Sequence, residues 1–234
     1  MSKLRNPFDQ FDEKLQASFE QNLLAALLED VGTGDLTGLL VPGEGRARAR
    51  VLVREEAVLC GAPWFQGVML AVDQDIEIDW QYAEGDVMAA NSIVCYIEGP
   101  ARALLTAERS ALNFLQLMSG VATATRKYVD IIAGTSAAIL DTRKTLPGLR
   151  LAQKYAVRVG GGKNQRMALY DGILIKENHI AAAGGIAPAM AAAHALQAGV
   201  SIQIEVESLA QLEEALAAGA KSVLLDNCDL QMMR

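Results

Sequence analysis

Positive charge, histidine, cysteine and long apolar runs are all scarce in this chain of 234 residues, and each shortage removes a class of function. Lysine and arginine number 21 against 28 aspartates and glutamates, a net charge of −7. A nucleic-acid binder normally carries a net basic domain or stripe, so no nucleic-acid partner is expected. No apolar run approaches the roughly 20 residues of a membrane span, so no membrane association is expected either. Residues 1–10 are polar and lack the apolar core of a signal peptide, which points to a cytoplasmic chain. There are two histidines, His179 and His194, and no Cys/His spacing suits zinc. The three cysteines, Cys60, Cys95 and Cys228, are far apart and each lies in or beside an apolar run. They read as small reduced core residues in a cytosolic protein. Ser110 and Ser119 have no evident base partner, which argues against a serine hydrolase.

What is present is apolar residue in quantity, 51% of the chain, enough for a sizeable core. Residues 8–30 read as a helix: Phe11, Leu15, Phe19, Leu23 and Leu27 recur at a step of four, with Leu24 and Leu28 beside them, and Gly32 and Gly34 stop it. Residues 46–54 alternate, Arg46, Arg48 and Arg50 on one face and Ala47, Ala49 and Val51 on the other, which predicts a half-buried strand with a solvated arginine face. Further strands are expected at 58–60, 76–80 and 93–98, with turns at 84–86 and 99–100. The first hundred residues thus read as a helix plus a mainly antiparallel sheet. Residues 101–132 turn helical, and Gly120 is expected to divide them into two helices. After Gly134 the rhythm becomes strand and helix in alternation. Strands are predicted at 137–140, 172–175, 201–206 and 222–225, and helices at 149–157, 187–198 and 209–218, with Gly199 and Gly219 where C-caps belong. Such alternation calls for a parallel sheet with helices outside it, as in a β/α barrel or a doubly wound sheet.

Each of these later strands ends in ionisable residues: Asp141, Arg143 and Lys144, then Lys176 and Glu177, then Glu205 and Glu207, then Asp226. In a parallel barrel such ends converge on one rim. Gathering Arg143, Lys144, Arg166 and Lys176 there requires anionic partners, because an ion removed from water costs several kcal/mol. Protein carboxylates can supply them as a structural ion network. A polyanionic ligand can supply them too, at roughly 1.5–3 kcal/mol per charge-assisted hydrogen bond. Arginine suits flat carboxylates and lysine suits phosphate. Glu205 and Asp226 are hard oxygen ligands able to hold Mg²⁺ against phosphate oxygens. The run Gly160-Gly161-Gly162 is as compatible with a tight turn as with a phosphate loop, since the P-loop spacing is missing. His179 fits either the rim of a site or the entry to a helix; His194 sits incidentally in an alanine-rich helix.

The block Asp141-Thr142-Arg143-Lys144-Thr145-Leu146-Pro147-Gly148-Leu149-Arg150 resembles the quinolinate phosphoribosyltransferase family. So do Lys154-Tyr155-Ala156-Val157, the glycine run, and Leu174-Ile175-Lys176-Glu177-Asn178-His179. Shorter matches run in family order from Glu29-Asp30 to Leu225-Asp226-Asn227. The resemblance implies a fold of the α/β class, an N-terminal α/β sandwich (α+β) domain over 1–117 followed by an incomplete β/α barrel over 118–234. It implies a homodimer in which Arg109 reaches into the neighbouring site. It implies that Arg143, Arg166 and Lys176 hold the two carboxylates of quinolinate, and that Lys144, Glu205 and Asp226 serve phosphoribosyl pyrophosphate and Mg²⁺. The implied reaction joins the pyridine nitrogen to ribose C1, expels pyrophosphate and releases CO2, giving nicotinate mononucleotide for NAD biosynthesis.

The chain departs from the family pattern twice. Gln165 stands where the family has histidine; it still donates a hydrogen bond to a carboxylate but carries no charge. Family members also continue for roughly fifty residues, with two further barrel strands and a glycine-rich phosphate site, so the sequence is expected to represent part of a longer active enzyme. Three alternatives stand beside this reading: a related phosphoribosyltransferase acting on another pyridine, a non-catalytic dicarboxylate- or phosphate-binding protein, and a scaffold whose charges are all salt bridges.

Overall fold

The computed structural model describes residues 11–234, and within it the chain falls into two compact units, one ending at Gln165 and the other running from Arg166 to Arg234. The positions 8–10 that open the first predicted helix lie outside the described residues.

In the first unit, α1 (Glu13–Asp30) starts where the Asp12 carboxylate accepts the Leu15 N–H and ends before Gly32, whose left-handed backbone a side chain would strain. It buries Leu15, Phe19 and Asn22, while Leu24 and Leu28 remain exposed. A single 3₁₀ turn (Gly38–Leu40) leads to β1 (Arg46–Leu52), then β2 (Ala57–Val58), α2 (Ala62–Val72), β3 (Glu77–Trp80), β4 (Val87–Met88) and β5 (Ile93–Pro100). Strand β5 is the centre of an antiparallel sheet in the order β1-β5-β3, and β2 pairs with β4 in a separate ribbon. The antiparallel sheet is therefore as predicted, but β1 is exposed on both faces apart from Val51, not half-buried. Helix α2 went unforeseen because it is apolar all round and shows no 3.6-residue alternation; Trp64, Phe65 and Val68 are wholly buried in it.

Two breaks placed by glycine are absent. The expected turn at 99–100 is strand, since Gly99 pairs with Ala47 and Pro100 with Arg46, and α3 begins at the next residue. Helix α3 (Ala101–Ile131) then runs 31 residues straight through Gly120. A mid-helix glycine costs roughly 1 kcal/mol. The flanking turns bury Phe114, Leu115, Met118, Ser119 and Ala122, and that packing outweighs it. Phe11, Phe19, Trp64 and Tyr155 cluster with ring centroids 5.3–5.8 Å apart, so α4 (Arg150–Val159) is anchored to α1 and α2. The strand predicted at 137–140 reduces to a single parallel bridge between Leu140 and Lys163.

The second unit holds β6 (Ile173–Ile175), α5 (Glu177–Ala183), α6 (Ile186–Ala195), β7 (Ile202–Val206), α7 (Leu209–Ala217) and β8 (Val223–Leu225). The strands form a parallel sheet in the order β6-β7-β8. This is the predicted strand–helix rhythm, with α5 as an unpredicted addition. Gly219 closes α7 with a left-handed backbone, as foreseen. Helix α6 stops at Ala195, four residues short of Gly199, which lies in the loop beyond.

Alternation along the strands decides what each sheet face carries. Ile175, Ile204 and Val206 point to one side and are buried with Ile186, Met190 and Ala215 of the helices. The opposite side carries Leu174, Lys176, Gln203, Glu205, Ser222, Leu224 and Asp226, because Ile175 pairs with Ile204 and Glu205 with Leu224. Each unit of the chain is thus α/β in content, the first antiparallel and the second parallel.

Candidate active site

On the polar face of the parallel sheet, Lys176 and Glu205 occupy register positions directly across from one another, and Lys176 Nζ lies 3.5 Å from Glu205 Oε2. Glu205 is mostly enclosed while Lys176 is 45% exposed. Asp226 follows β8 on the same face. Its N–H donates to the Val206 carbonyl at 2.9 Å, and its Oδ2 accepts from the Asn227 side chain at 3.1 Å. One strand inward, the Gln203 amide donates to Ser222 Oγ at 3.0 Å. Lys176, Glu205 and Asp226 are therefore brought to neighbouring strand tips, as predicted. Arg166, which opens this unit, donates from Nη1 to the Gly172 carbonyl at 3.2 Å, just before β6. His179 resolves to helix entry: its Nδ1 accepts the Lys176 N–H at 3.0 Å in the first turn of α5. His194 is exposed on α6.

In the first unit the chemistry gathers around Asp141. Lys163 brackets this residue's approach: its N–H donates to Ile139 O at 2.8 Å, and its carbonyl accepts the Asp141 N–H at 3.2 Å. The Asp141 carboxylate takes Lys154 Nζ at 2.5 Å, Asn164 Nδ2 at 2.6 Å and the Gln165 N–H at 2.9 Å. Lys144 is exposed on the turn that follows, where its N–H donates to Thr142 Oγ1 at 3.0 Å. Arg143 is half-buried, and its Nε is a buried donor with no hydrogen-bond partner. Leaving a buried donor unmade costs about 1–3 kcal/mol; Arg102 Nε, in the same unit, is unpartnered in the same way. The loop between Arg143 and α4 is tied down from α1: the Asn22 amide donates to the Gly148 carbonyl at 3.0 Å and its oxygen accepts from Trp64 Nε1 at 3.3 Å. Arg109 is exposed on α3 and forms no ion pair with another described residue.

The glycine run is a packing turn. A Cβ on Gly160 would lie 2.5 Å from the Ala122 carbonyl oxygen, and one on Gly162 would lie 2.7 Å from Val157 Cγ1. Arg126 Nε reaches the Gly160 carbonyl at 3.1 Å. Two of the three cysteines are core residues as expected; Cys228 is only half-buried, in the segment after β8, where its Sγ donates to the Asp226 carbonyl at 3.6 Å. Cys60 and Cys95 are buried and unpaired. Burial holds the Cys60 thiol well above its ordinary value and pushes Cys95 up to about 12, so neither is a thiolate nucleophile. Ser119 exchanges hydrogen bonds with the Cys60 backbone at 3.0 Å each way, a structural use of the hydroxyl.

Sequence reasoning gave no role to three residues that organise these elements: Asn22, Lys154 and Asn164. Lys154 left a signal, for it shares the buried stripe of α4 with Ala152, Tyr155 and Ala156. An unpaired lysine does not survive in such a place. Asn22 gave the weaker signal of an amide inside an apolar helix face.

Among the described residues no group of three or more His, Cys, Asp or Glu side chains closes a metal cage. What the sheet offers a cation is a pair of carboxylates, Glu205 and Asp226, on neighbouring strands. That donor set suits Mg²⁺, which is commonly held by one or two carboxylates plus substrate phosphates and water.

A parallel sheet with cationic and anionic strand tips in one unit, and a loop presenting arginine and lysine in the other, define an α/β protein equipped to hold small anions at strand ends. Residues 35–119 match the family model described as Quinolinate phosphoribosyl transferase, N-terminal domain, and residues 121–234 match its C-terminal domain. The chain belongs to the quinolinate phosphoribosyltransferase family and has its two-domain architecture. It is 43% identical over 212 residues to the probable nicotinate-nucleotide pyrophosphorylase (carboxylating) of Bacillus subtilis, a match covering 88% of this chain and 72% of that protein. It is 41% identical over 209 residues to the nicotinate-nucleotide pyrophosphorylase (carboxylating) of Mycobacterium leprae, covering 86% and 72%. Among solved structures, the nicotinate-nucleotide pyrophosphorylase of Francisella tularensis superposes with a TM-score of 0.86 at 44% identity, covering 91% of this chain and 76% of the other. The Ehrlichia chaffeensis enzyme of the same name superposes at 0.88 and 36% identity, covering 92% and 79%.

Proposed function

We propose that the protein transfers a phosphoribosyl group from phosphoribosyl pyrophosphate to quinolinate with loss of CO2, giving nicotinate mononucleotide for NAD biosynthesis. Family membership and the names of its relatives support the reaction, and the orphaned buried Nε of Arg143 is the observation on this chain that carries it. In this reading Arg143, Arg166 and Lys176 hold the two carboxylates, Gln165 adds an uncharged donor, and Lys144 takes the charge that grows on departing pyrophosphate. Glu205 and Asp226 hold the ribose and Mg²⁺. When bound, Mg²⁺ neutralises the diphosphate and makes it a better leaving group.

The division of labour follows from charge. Two polyanions repel one another, so much of what the chain contributes is orientation against that repulsion. The pyridine nitrogen donates its lone pair to ribose C1 as the bond to pyrophosphate breaks; carboxylates near the ring stabilise the positive charge on the sugar. The ring nitrogen is then cationic; the electron pair left on the neighbouring ring carbon when its carboxylate departs as CO2 is stabilised beside that charge and takes up a proton from water to give the product. Glu205 is already close to Lys176, so incoming carboxylate competes for a cation whose present contact is long and half-solvated.

The reading extends to a 1–117 and 118–234 division of the domains, a barrel form for the second, a homodimer sharing Arg109 between sites, and a cytoplasmic location. The deciding assay is release of labelled CO2 from quinolinate with and without phosphoribosyl pyrophosphate. Release that requires both substrates is expected; tight quinolinate binding without release would make the protein a binder instead. Arg143→Ala and Lys176→Ala are expected to lose quinolinate binding while remaining folded. Mixing Arg109→Ala with Lys144→Ala subunits is expected to restore part of the activity, and no recovery would remove the shared site.

A further inference from the structure

The Asp141–Lys154 pair is sealed from solvent, with side-chain exposures of 6% and 1%. Its hydrogen bonds do not stop at each other. Asp141 Oδ1 accepts the Gln165 N–H at 2.9 Å while Lys154 Nζ donates to the Gln165 carbonyl at 3.1 Å, so both polar groups of one residue are gripped by the two ends of the pair. Asn164 Nδ2 completes the clasp, reaching Asp141 Oδ2 at 2.6 Å and the Lys154 carbonyl at 2.9 Å. The carbonyl held by Lys154 belongs to the peptide that joins Gln165 to Arg166. The carboxylate stands two residues before Arg143. Helix α4, which carries Lys154, is itself pinned by the Tyr155 ring, whose centroid lies 5.4 Å from those of Phe11 and Trp64.

A buried ion pair stabilises little compared with apolar side chains of the same volume. Its strength lies in geometry, since several charge-assisted bonds converge on fixed directions. We propose that Lys154 and Asp141 are positioning residues, which clamp the backbone on which Arg143 and Arg166 are mounted and so set where each guanidinium is presented. This rests on the reading that those two arginines receive the carboxylates of quinolinate. A small displacement of a positioned charge is expensive: a shift of about 1 Å can reduce catalysis by about a hundredfold.

The test uses the 234-residue chain with Lys154→Met, which keeps length and removes charge, and Asn164→Ala, which leaves the ion pair in place and opens the clasp. Michaelis constants are measured separately for quinolinate and phosphoribosyl pyrophosphate, with quinolinate affinity by calorimetry and melting temperature alongside. Lys154→Met is expected to raise the quinolinate constant about tenfold or more, with that for phosphoribosyl pyrophosphate within about twofold of wild type. Asn164→Ala is expected to shift it in the same direction by about threefold. A role confined to stability would lower kcat by reducing the folded fraction and leave both constants where they were, and that result would overturn the proposal. If Lys154→Met does not fold, an unchanged quinolinate constant in Asn164→Ala overturns it equally. Wild-type protein that neither binds nor consumes quinolinate would instead overturn the functional reading and the proposal together.

Discussion

Asp141 meets Lys154 at 2.5 Å with 6% and 1% of the side chains exposed, whereas Glu205 meets Lys176 at 3.5 Å with 10% and 45% exposed. The first pair is short, dry and surrounded by further donors. The second is long and open to water on its cationic side. Both join an acid at or near a strand end to a lysine, yet physics assigns them different tasks. Exchanging the partner of a dry, fully bonded ion is slow and costly. Exchanging the partner of a half-solvated one loses little, because water and salt already screen it. The chain thus holds one charge pair fixed against the 163–165 backbone and one loose at the strand tips, the pair for which a carboxylate ligand competes in the proposed reaction.

That contrast can be broken experimentally. Lys154→Ala strands a carboxylate in the core, so a loss of about 3–5 kcal/mol in unfolding free energy is expected by urea titration. A loss under about 1 kcal/mol would make the two pairs alike. Gly160→Ala forces a Cβ to within 2.5 Å of the Ala122 carbonyl, and a loss of about 1–3 kcal/mol is expected. Lys176→Met should change stability by less than about 1 kcal/mol in the same titration while quinolinate affinity collapses. Equal damage to stability and binding would show that its contact with Glu205 is structural.

The smallest expected effect is a pH dependence at Glu84. Its carboxylate accepts the N–H groups of Gly61 at 2.7 Å and Ala62 at 3.0 Å at the start of α2, and burial, the largest influence on it, raises its pKa above the ordinary 4.5. The folded state therefore binds the proton more tightly than the unfolded chain. Its favourable contribution is complete below pH 4.5 and declines as pH rises above that value toward the folded pKa. The stability difference between wild type and Glu84→Gln, followed by denaturant midpoint from acid to neutral pH, should shift against wild type as pH rises. A flat difference would mean the helix-end N–H groups cancel the burial.

Legibility in the sequence followed periodicity and charge. The strands β6, β7 and β8 were readable because β-branched residues sit between glycine or serine and an ionisable tip; the same tips named Lys176, Glu205 and Asp226. Helix α2 hid because an all-apolar segment has no amphipathic alternation to detect. Gly120 and the Gly99-Pro100 pair misled because local conformational preference is worth about 1 kcal/mol, less than the burial contributed by the neighbouring turns of α3 or the pairing of β5 with β1. The half-buried face expected for β1 did not appear, since Ala47 and Ala49 lie exposed on an edge strand.

Residue order alone settled the α/β character, the parallel rhythm after Gly134, the family, and which charged side chains stand at strand ends, because these depend on spacing and on chemical type. Only the folded chain decided which charges are spoken for. Whether Lys154 or Lys176 is sealed against its acid depends on what packs around each, a property of distant segments such as α1, α2 and the 163–165 stretch. Solvent exclusion is made by the third dimension, and it is exclusion that turns one lysine into a strut and leaves the other ready to exchange partners.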